Sequence, residues 1–112
     1  MQKRLKTLLP GIKALANIPR VLKENVIKVK KIQNHLYEVS VSKDGHTIHH
    51  VSLYPTDYEN FSQGRVEEIE LIEASFRFLL DRESNQSILK EFNLNVIQKY
   101  FPEYPNTINS YF

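Results

Sequence analysis

The chain has 112 residues, of which 41% are hydrophobic and 25% are charged, a composition typical of one globular domain. It contains no cysteine, which excludes a disulfide framework, thiolate-bound zinc and a cysteine nucleophile. No apolar run approaches the roughly 20 residues that a membrane-spanning helix requires, so we expect a cytoplasmic protein without a transmembrane span.

The charges are unevenly distributed along the chain. The formal net charge is +2, but residues 1–25 contain six basic residues and one acidic residue, whereas residues 26–112 carry nine basic and twelve acidic ones. Pro10 and Pro19 prevent one continuous helix in this basic leader, so we expect a loosely ordered segment or short amphipathic helices. Three interpretations remain open: a solvated extension, a contact with an acidic membrane or partner surface, and a targeting segment.

The sequence predicts three antiparallel strands over residues 26–54, with turns at 33–35 and 43–45. A connection of three residues at each turn, with Gly45 in the left-handed position, gathers the hydrophobic side chains on one face. The predicted pairs are Ile27 with Val41, Val29 with Val39, Lys30 with Glu38, Tyr37 with Val51, Val39 with His49, and Val41 with Thr47. The predicted covered face consists of Ile27, Val29, Tyr37, Val39, Val41, Thr47, His49, Val51 and Leu53.

Two helices are predicted after the strands. The capping-box pattern from Thr56 to Glu59 predicts a short helix that Gly64 ends, and a main helix follows over about residues 66–82. The main helix has two apolar stripes, so we expect two neighbours. The broad stripe, expected on the sheet, consists of Val66, Ile69, Ile72, Phe76, Leu79 and Leu80. The narrow stripe, expected against the terminal helix or a partner chain, consists of Leu71, Ala74 and Phe78.

The rest of the chain is predicted to form short helices at 88–91 and 94–101, with Ser87 and Asn93 as their N-caps. The residues from 103 onwards are rich in Asn, Pro and Ser, so we expect an irregular tail. The predicted fold is α+β, a three-stranded antiparallel meander packed on one face by a long helix and short C-terminal helices. The predicted boundaries are a leader at 1–25, one domain at 26–104 and a tail at 105–112.

Two motifs in the helical half carry a resemblance. They are the stretch 75–83, SFRFLLDRE, and the stretch 100–104, YFPEY. Together with the intervening Ser87, Ile88 and Leu89, they resemble a group of small bacterial proteins in which a β-meander precedes helices with these motifs. The resemblance covers about residues 26–104, and it implies a bacterial origin and the same order of elements. It implies no activity and no catalytic residue.

The residues that could carry chemistry favour structural roles. The histidines at 35, 46, 49 and 50 invite a metal hypothesis, but side chains four residues apart on a strand lie about 13 Å apart. Adjacent His49 and His50 point to opposite faces, so we expect no metal and no cofactor. Ser75 has no histidine at a readable spacing, and Arg82 is expected to bond the last carbonyls of its helix. The sequence therefore favours a protein that is not an enzyme.

The preferred hypothesis is a non-catalytic protein-interaction module that binds a protein partner or forms a homodimer. Its candidate surface consists of Leu71, Ala74, Phe78, Tyr104, Tyr111 and Phe112. The alternative is a nucleic-acid-binding accessory protein that uses the leader and the final helix. Its candidate contacts to nucleic acid or another anion are Lys3, Arg4, Lys6, Lys13, Arg20, Asn95, Gln98 and Lys99.

Overall fold

The computed structural model describes residues 26–112, which form a four-stranded sheet and a helical segment packed against it. The strands lie in the order β1 (Ile27–Gln33), β2 (Leu36–Lys43), β3 (Gly45–Ser52) and β4 (Glu91–Asn93). The first three are antiparallel, whereas β4 is parallel to β3. The α+β class is confirmed, but the three-stranded sheet is corrected to four mixed strands. The predicted meander lacked β4 because a strand of three residues has almost no alternation to detect.

The predicted register of the meander is confirmed. Val39 pairs with Val29 on β1 and with His49 on β3, and both Val39 and His49 are fully buried. Ile48, which has the opposite parity, is 40% exposed on the open face. Gly45 has a φ of 80°, the left-handed conformation that the bulged turn requires. Every residue of the predicted covered face is buried except Val29, which is half-buried.

The first hairpin departs from the predicted connection of three residues. Gln33 pairs with Leu36, so the turn itself consists of residues 34 and 35. Ile32 is the extra residue of a bulge at the register shift, and His35 takes a left-handed φ of 67°. Because the shift follows the pair formed by Lys31, it leaves the hydrophobic pairs in the predicted register.

Helix α1 (Pro55–Ser62) begins ahead of Thr56, the predicted N-cap. Pro55 occupies the first helical position, where its missing amide hydrogen costs no hydrogen bond. The helix ends at Gln63, whose φ of 53° is left-handed, and Gly64 follows with a φ of 74°. The helix is confirmed, whereas its predicted capping box is wrong.

Helix α2 (Glu68–Leu80) is the long helix and lies within the predicted range 66–82. The Phe76 ring, in the middle of its broad stripe, lies 5.3 Å from the ring of His49 on β3. Ile69, in the first turn, remains 42% exposed. The middle of the broad stripe therefore packs on the sheet, while Ile69 is partly exposed to solvent.

The C-terminal segment differs most from the prediction. Its elements are 3₁₀ turns at Asn85–Ser87, Leu94–Val96 and Ile108–Tyr111, and single-turn helices α3 (Ile97–Tyr100) and α4 (Tyr104–Thr107). Asn93 is an N-cap as predicted, since its side chain accepts from the amide of Asn95 at 3.0 Å. Ile108 is fully buried. Residues 105–112 are therefore part of the domain rather than an irregular tail.

This C-terminal segment covers the narrow stripe of α2. Leu71, Ala74 and Phe78 are fully buried, and the Phe78 ring lies 5.2 Å from the ring of Tyr104 and 5.8 Å from that of Tyr111. Tyr104 is also fully buried. The predicted interaction surface is therefore wrong for these four buried residues, because the chain's own terminal segment is the second neighbour of α2.

Polar contacts hold the same segment in place. Arg82 donates to the Phe78 carbonyl and to the Glu103 carboxylate, both at 3.0 Å, and its guanidinium lies 3.6 Å from the centre of the Phe78 ring. The Tyr111 hydroxyl donates to the Asp81 carboxylate at 2.6 Å. The expected role of Arg82 at its own helix end is confirmed, and the residue also anchors the C-terminal segment.

Candidate binding cleft

An apolar cleft of about 150 Å³ opens between the end of α2, the segment that follows it and α3. Leu79, Ile88 and Ile97 line it and are themselves buried. Other apolar or aromatic lining residues are Leu89, Phe92, Val96, Tyr100 and Phe101. Concave apolar sites with few polar groups are the usual form of a ligand or side-chain binding site.

The rim of this cleft is unusually apolar for an exposed surface. Tyr100 is 66% exposed and Leu89 is 47% exposed, and both side chains line the opening. Tyrosine presents a large apolar area together with a hydroxyl group and is enriched at protein interfaces. Exposed apolar side chains beside an apolar cleft are typical of a surface that a partner covers.

The volume limits what can enter the cleft. A cavity of about 150 Å³ in another protein holds a benzene-sized molecule. Sites for drug-sized ligands and cofactors are about 300–1,000 Å³. The cleft therefore has room for one aromatic or branched aliphatic side chain.

The wall formed by residues 88–92 is fixed to the sheet. The amide of His50 donates to the carbonyl of Lys90 at 2.8 Å, at the start of the parallel pairing of β3 with β4. The His49 ring Nδ1 lies 2.8 Å from the carbonyl oxygen of Leu89, which only a protonated Nδ1 can satisfy. Since Leu89 is on the rim, these contacts position the opening directly.

A buried polar network lies behind this wall. The His49 Nε2 is 2.9 Å from the Thr47 hydroxyl, which also accepts from the Asn85 side-chain amide at 2.9 Å. Because Nδ1 carries the ring proton, Nε2 accepts and the Thr47 hydroxyl donates. The side-chain oxygen Oδ1 of Asn85 accepts from the backbone amide of Asp44 at 3.1 Å. The network therefore joins the β2–β3 turn to the segment that leads into the cleft.

Burial lowers the pKa of His49, an effect that the nearby Lys90 and His50 charges increase and the bond to Leu89 partly offsets. The unfolded chain takes up a proton near pH 6.5, whereas the folded protein resists protonation until the pH is lower. The contribution of neutral His49 to the free energy of unfolding is thus fully present above about pH 6.5. It is lost as the pH falls towards the folded-state pKa of His49.

We therefore predict that the free energy of unfolding of the wild type falls more steeply between pH 7 and pH 5 than that of His49→Gln, by up to about 1.4 kcal/mol per pH unit. Urea unfolding of both proteins at several pH values measures this difference. The contributions of the other titrating groups are common to both proteins and therefore cancel. His46→Gln is the matched control, because it removes an exposed histidine of the same strand and keeps the buried His49, so the steeper slope should persist. Parallel curves for wild type and His49→Gln would contradict the prediction.

Glu83 is the acidic residue that lines the cleft. It follows the end of α2, where its amide donates to the Leu79 carbonyl at 2.9 Å. Burial raises the pKa of the Glu83 carboxyl. A half-buried carboxylate beside apolar side chains loses part of its solvation, so the site favours a ligand group that can neutralise it or donate to it.

The predicted nucleic-acid contacts within the described residues differ in their exposure. The Asn95 side chain is half-buried and donates to the Asp57 carboxylate at 3.2 Å, whereas Gln98 and Lys99 are exposed. The predicted helix over 94–101 is present as a 3₁₀ turn at Leu94–Val96 that runs directly into the single turn of α3, and this segment is short for a recognition helix. The other predicted contacts lie outside the described residues; they are Lys3, Arg4, Lys6, Lys13 and Arg20.

The histidines do not converge on one point. His46 lies 3.0 Å from the Ser42 hydroxyl, and His50 lies 3.8 Å from the Glu38 carboxylate on the open face of the sheet. Over residues 26–112, no three side chains of the types that bind metal ions come together. His50 and Glu38 form the expected surface pair.

The Ser75 hydroxyl has a structural role. It donates to the Leu71 carbonyl at 2.7 Å and accepts from the Tyr104 hydroxyl at 2.7 Å, so both its donor and its acceptor are used in the core. Burial raises the pKa of Tyr104, which keeps its hydroxyl protonated as the donor. Of the predicted surface residues, only Tyr111 and Phe112 are not fully buried, and both are half-buried.

Sequence reasoning did not identify the cleft. Its walls come from three separate stretches, and the stretch around Ile88 and Leu89 was predicted to be a helix. The available signal was the pair of adjacent apolar residues between polar neighbours. In an extended chain such residues point to opposite sides, so one is buried and the other is exposed. Ile88 is indeed buried and Leu89 exposed.

Within the described part of the chain, no helix is both long enough and apolar enough to cross a membrane. No family model, no curated protein and no solved structure matches this chain. The resemblance carried by the stretches 75–83 and 100–104 therefore stays a prediction, and the residues of the cleft are what bears on function.

Proposed function

We propose that this domain is a non-catalytic protein-interaction module whose cleft accepts one apolar side chain of a partner protein. The observation that carries this proposal is the cleft itself, an apolar recess with the exposed side chains of Tyr100 and Leu89 at its opening. An apolar anchor inserted into such a recess, with an aromatic residue packed beside it, is the arrangement that dominates binding energy at many protein interfaces.

The size of the cleft supports a protein partner over a small metabolite. One side chain fills about 150 Å³, and the chain on either side of it can then cover Tyr100 and Leu89. A small molecule confined to the same volume would leave this rim exposed. The proposal therefore commits to an extended or helical segment of a protein with one aromatic or branched aliphatic anchor.

The chemistry of the cleft supports a binding role over catalysis. A nucleophile requires a base within hydrogen-bonding distance. The ionisable side chains that line the cleft are Glu83 and Tyr100, while both ring nitrogens of the nearby His49 are hydrogen-bonded in the network behind the wall. A single carboxyl in an apolar wall is suited to the recognition of a partner rather than to catalysis.

The test uses N-acetyl-phenylalanine amide as the simplest mimic of an apolar anchor in a peptide. We expect saturable chemical-shift changes confined to the residues around Ile88, Val96 and Ile97 in the labelled protein. Tyr100→Ala should weaken binding by up to about tenfold, because the Tyr100 ring at the opening packs beside the anchor and an aromatic pair contributes about 0.5–1.5 kcal/mol.

Tyr54→Ala is the matched control for this experiment. Tyr54 is also an exposed tyrosine, at 51%, but it precedes α1 and does not line the cleft. Its removal should leave the affinity unchanged. Equal losses in the two variants, or shift changes spread over the open face of the sheet, would refute the proposed site.

A further inference from the structure

Glu83 is placed where it can select among apolar ligands. Of the described residues that line the cleft it is the only one with a full charge, and the other polar contribution comes from Ser87 and the Tyr100 hydroxyl. Its position immediately after α2 is fixed by the bond from its own amide to the Leu79 carbonyl at 2.9 Å. Glu83 therefore lines an otherwise apolar recess at a position that the end of α2 fixes.

Among the described residues, no cation pairs with the Glu83 carboxyl. Across residues 26–112, no side-chain hydrogen bond or ion pair involves it, whereas the carboxylates of Glu38, Glu73 and Glu103 each have a basic partner. The adjacent Arg82 is engaged elsewhere, because its Nε contacts Glu103 and its Nη1 donates to the Phe78 carbonyl. Burial raises the pKa of Glu83, which agrees with a carboxyl that lacks a compensating cation.

We infer that the cleft selects an apolar anchor that is followed or accompanied by a cation, with Glu83 as the specificity-determining residue. This inference rests on the proposed function. A partner segment with Phe or Leu next to Lys or Arg has this chemistry: the apolar group fills the recess and the ammonium or guanidinium pairs with the carboxylate. An anionic or neutral segment would leave the Glu83 charge uncompensated in an apolar wall.

The experiment compares two probes that share one apolar body, phenethylamine and phenethyl alcohol. Both carry the same ring, but at neutral pH the amine is an ammonium ion and the alcohol is uncharged. Affinity is measured by chemical-shift titration of the full chain at low salt. We expect the wild type to bind the amine about fivefold more tightly than the alcohol, which is the size of one partly exposed ion pair.

The variant Glu83→Gln keeps the size and shape of the side chain but replaces the charged carboxylate with a neutral amide. We expect it to bind the two probes equally, with its affinity for the alcohol unchanged from the wild type. Glu91→Gln is the matched control, since Glu91 is an exposed carboxylate on β4 that does not line the cleft, and it should retain the preference.

The outcomes separate this inference from the proposed function. If the wild type binds both probes with equal affinity, or if the preference persists in Glu83→Gln, the role of Glu83 is wrong while the apolar cleft stands. If neither probe binds the wild type at the cleft, the proposed site and the inference are both wrong. Loss of the preference in Glu83→Gln alone supports the role assigned to this carboxyl.

Discussion

The variant Phe78→Ala should lose about 3–5 kcal/mol of its free energy of unfolding, because a fully buried phenylalanine is replaced by a cavity. The Phe78 ring contacts three other aromatic rings, those of Phe101, Tyr104 and Tyr111, at centroid distances of 5.9, 5.2 and 5.8 Å. It also lies under the Arg82 guanidinium. Denaturant unfolding followed by circular dichroism measures the loss.

Tyr54→Ala is the control for this variant, since it removes an aromatic ring of similar size from an exposed position. We expect that variant to lose well under about 1 kcal/mol. The comparison decides between the two neighbours considered for the narrow stripe of α2. If Phe78 lay at an interface between chains, Phe78→Ala would spare the stability of the monomer and instead change the sedimentation behaviour.

A second large effect is expected at Ile108, in the segment that the sequence predicts to be an irregular tail. This side chain is fully buried, so Ile108→Ala should destabilise the protein by about 2–5 kcal/mol. Calorimetry of both proteins at one scan rate measures this destabilisation as a fall in the midpoint of thermal unfolding.

Ile69→Ala makes the matched comparison, because the same side chain is 42% exposed in the first turn of α2. The free energy of unfolding lost in Ile69→Ala should be a small fraction of that lost in Ile108→Ala. Similar values for the two variants would show that residues 105–112 do not pack into the core as described.

The meander could be predicted from the sequence because one of its faces is buried. A shift of one residue would move Val39 to the open face together with every other hydrophobic side chain of its strand, so the alternation permits one register. The prediction failed at the first turn because a bulge at Ile32 and a three-residue loop produce the same pairs further along the strands.

The helical half was less predictable because its elements are short and depend on distant contacts. Strand β4 has three residues and forms only by parallel pairing with β3, about forty positions earlier in the chain. The 3₁₀ turn at Asn85–Ser87 is held by the buried Asn85, whose partners are the Asp44 amide in the β2–β3 turn and the Thr47 hydroxyl on β3. Neither of these long-range contacts can be read from the local sequence. For that reason residues 88–91 were predicted to be a helix.

The candidate site could not be predicted for the same reason. Leu79 lies in α2, Ile97 lies in α3 and Ile88 lies between the 3₁₀ turn at 85–87 and β4, and only their packing leaves a recess between them. The sequence did indicate an interaction module, but it assigned the surface to Phe78 and its neighbours, which the C-terminal segment covers. An apolar stripe in a sequence does not reveal whether the same chain or another one buries it.

The central claim is that an apolar side chain enters the cleft at the end of α2. Intermolecular nuclear Overhauser effects between the ring protons of N-acetyl-phenylalanine amide and the methyl groups of the protein test it most directly. We predict cross-peaks to Ile88, Val96 and Ile97 in the wild type. Cross-peaks confined to exposed methyl groups outside the cleft, such as those of Ile48 on the open sheet face, would contradict it.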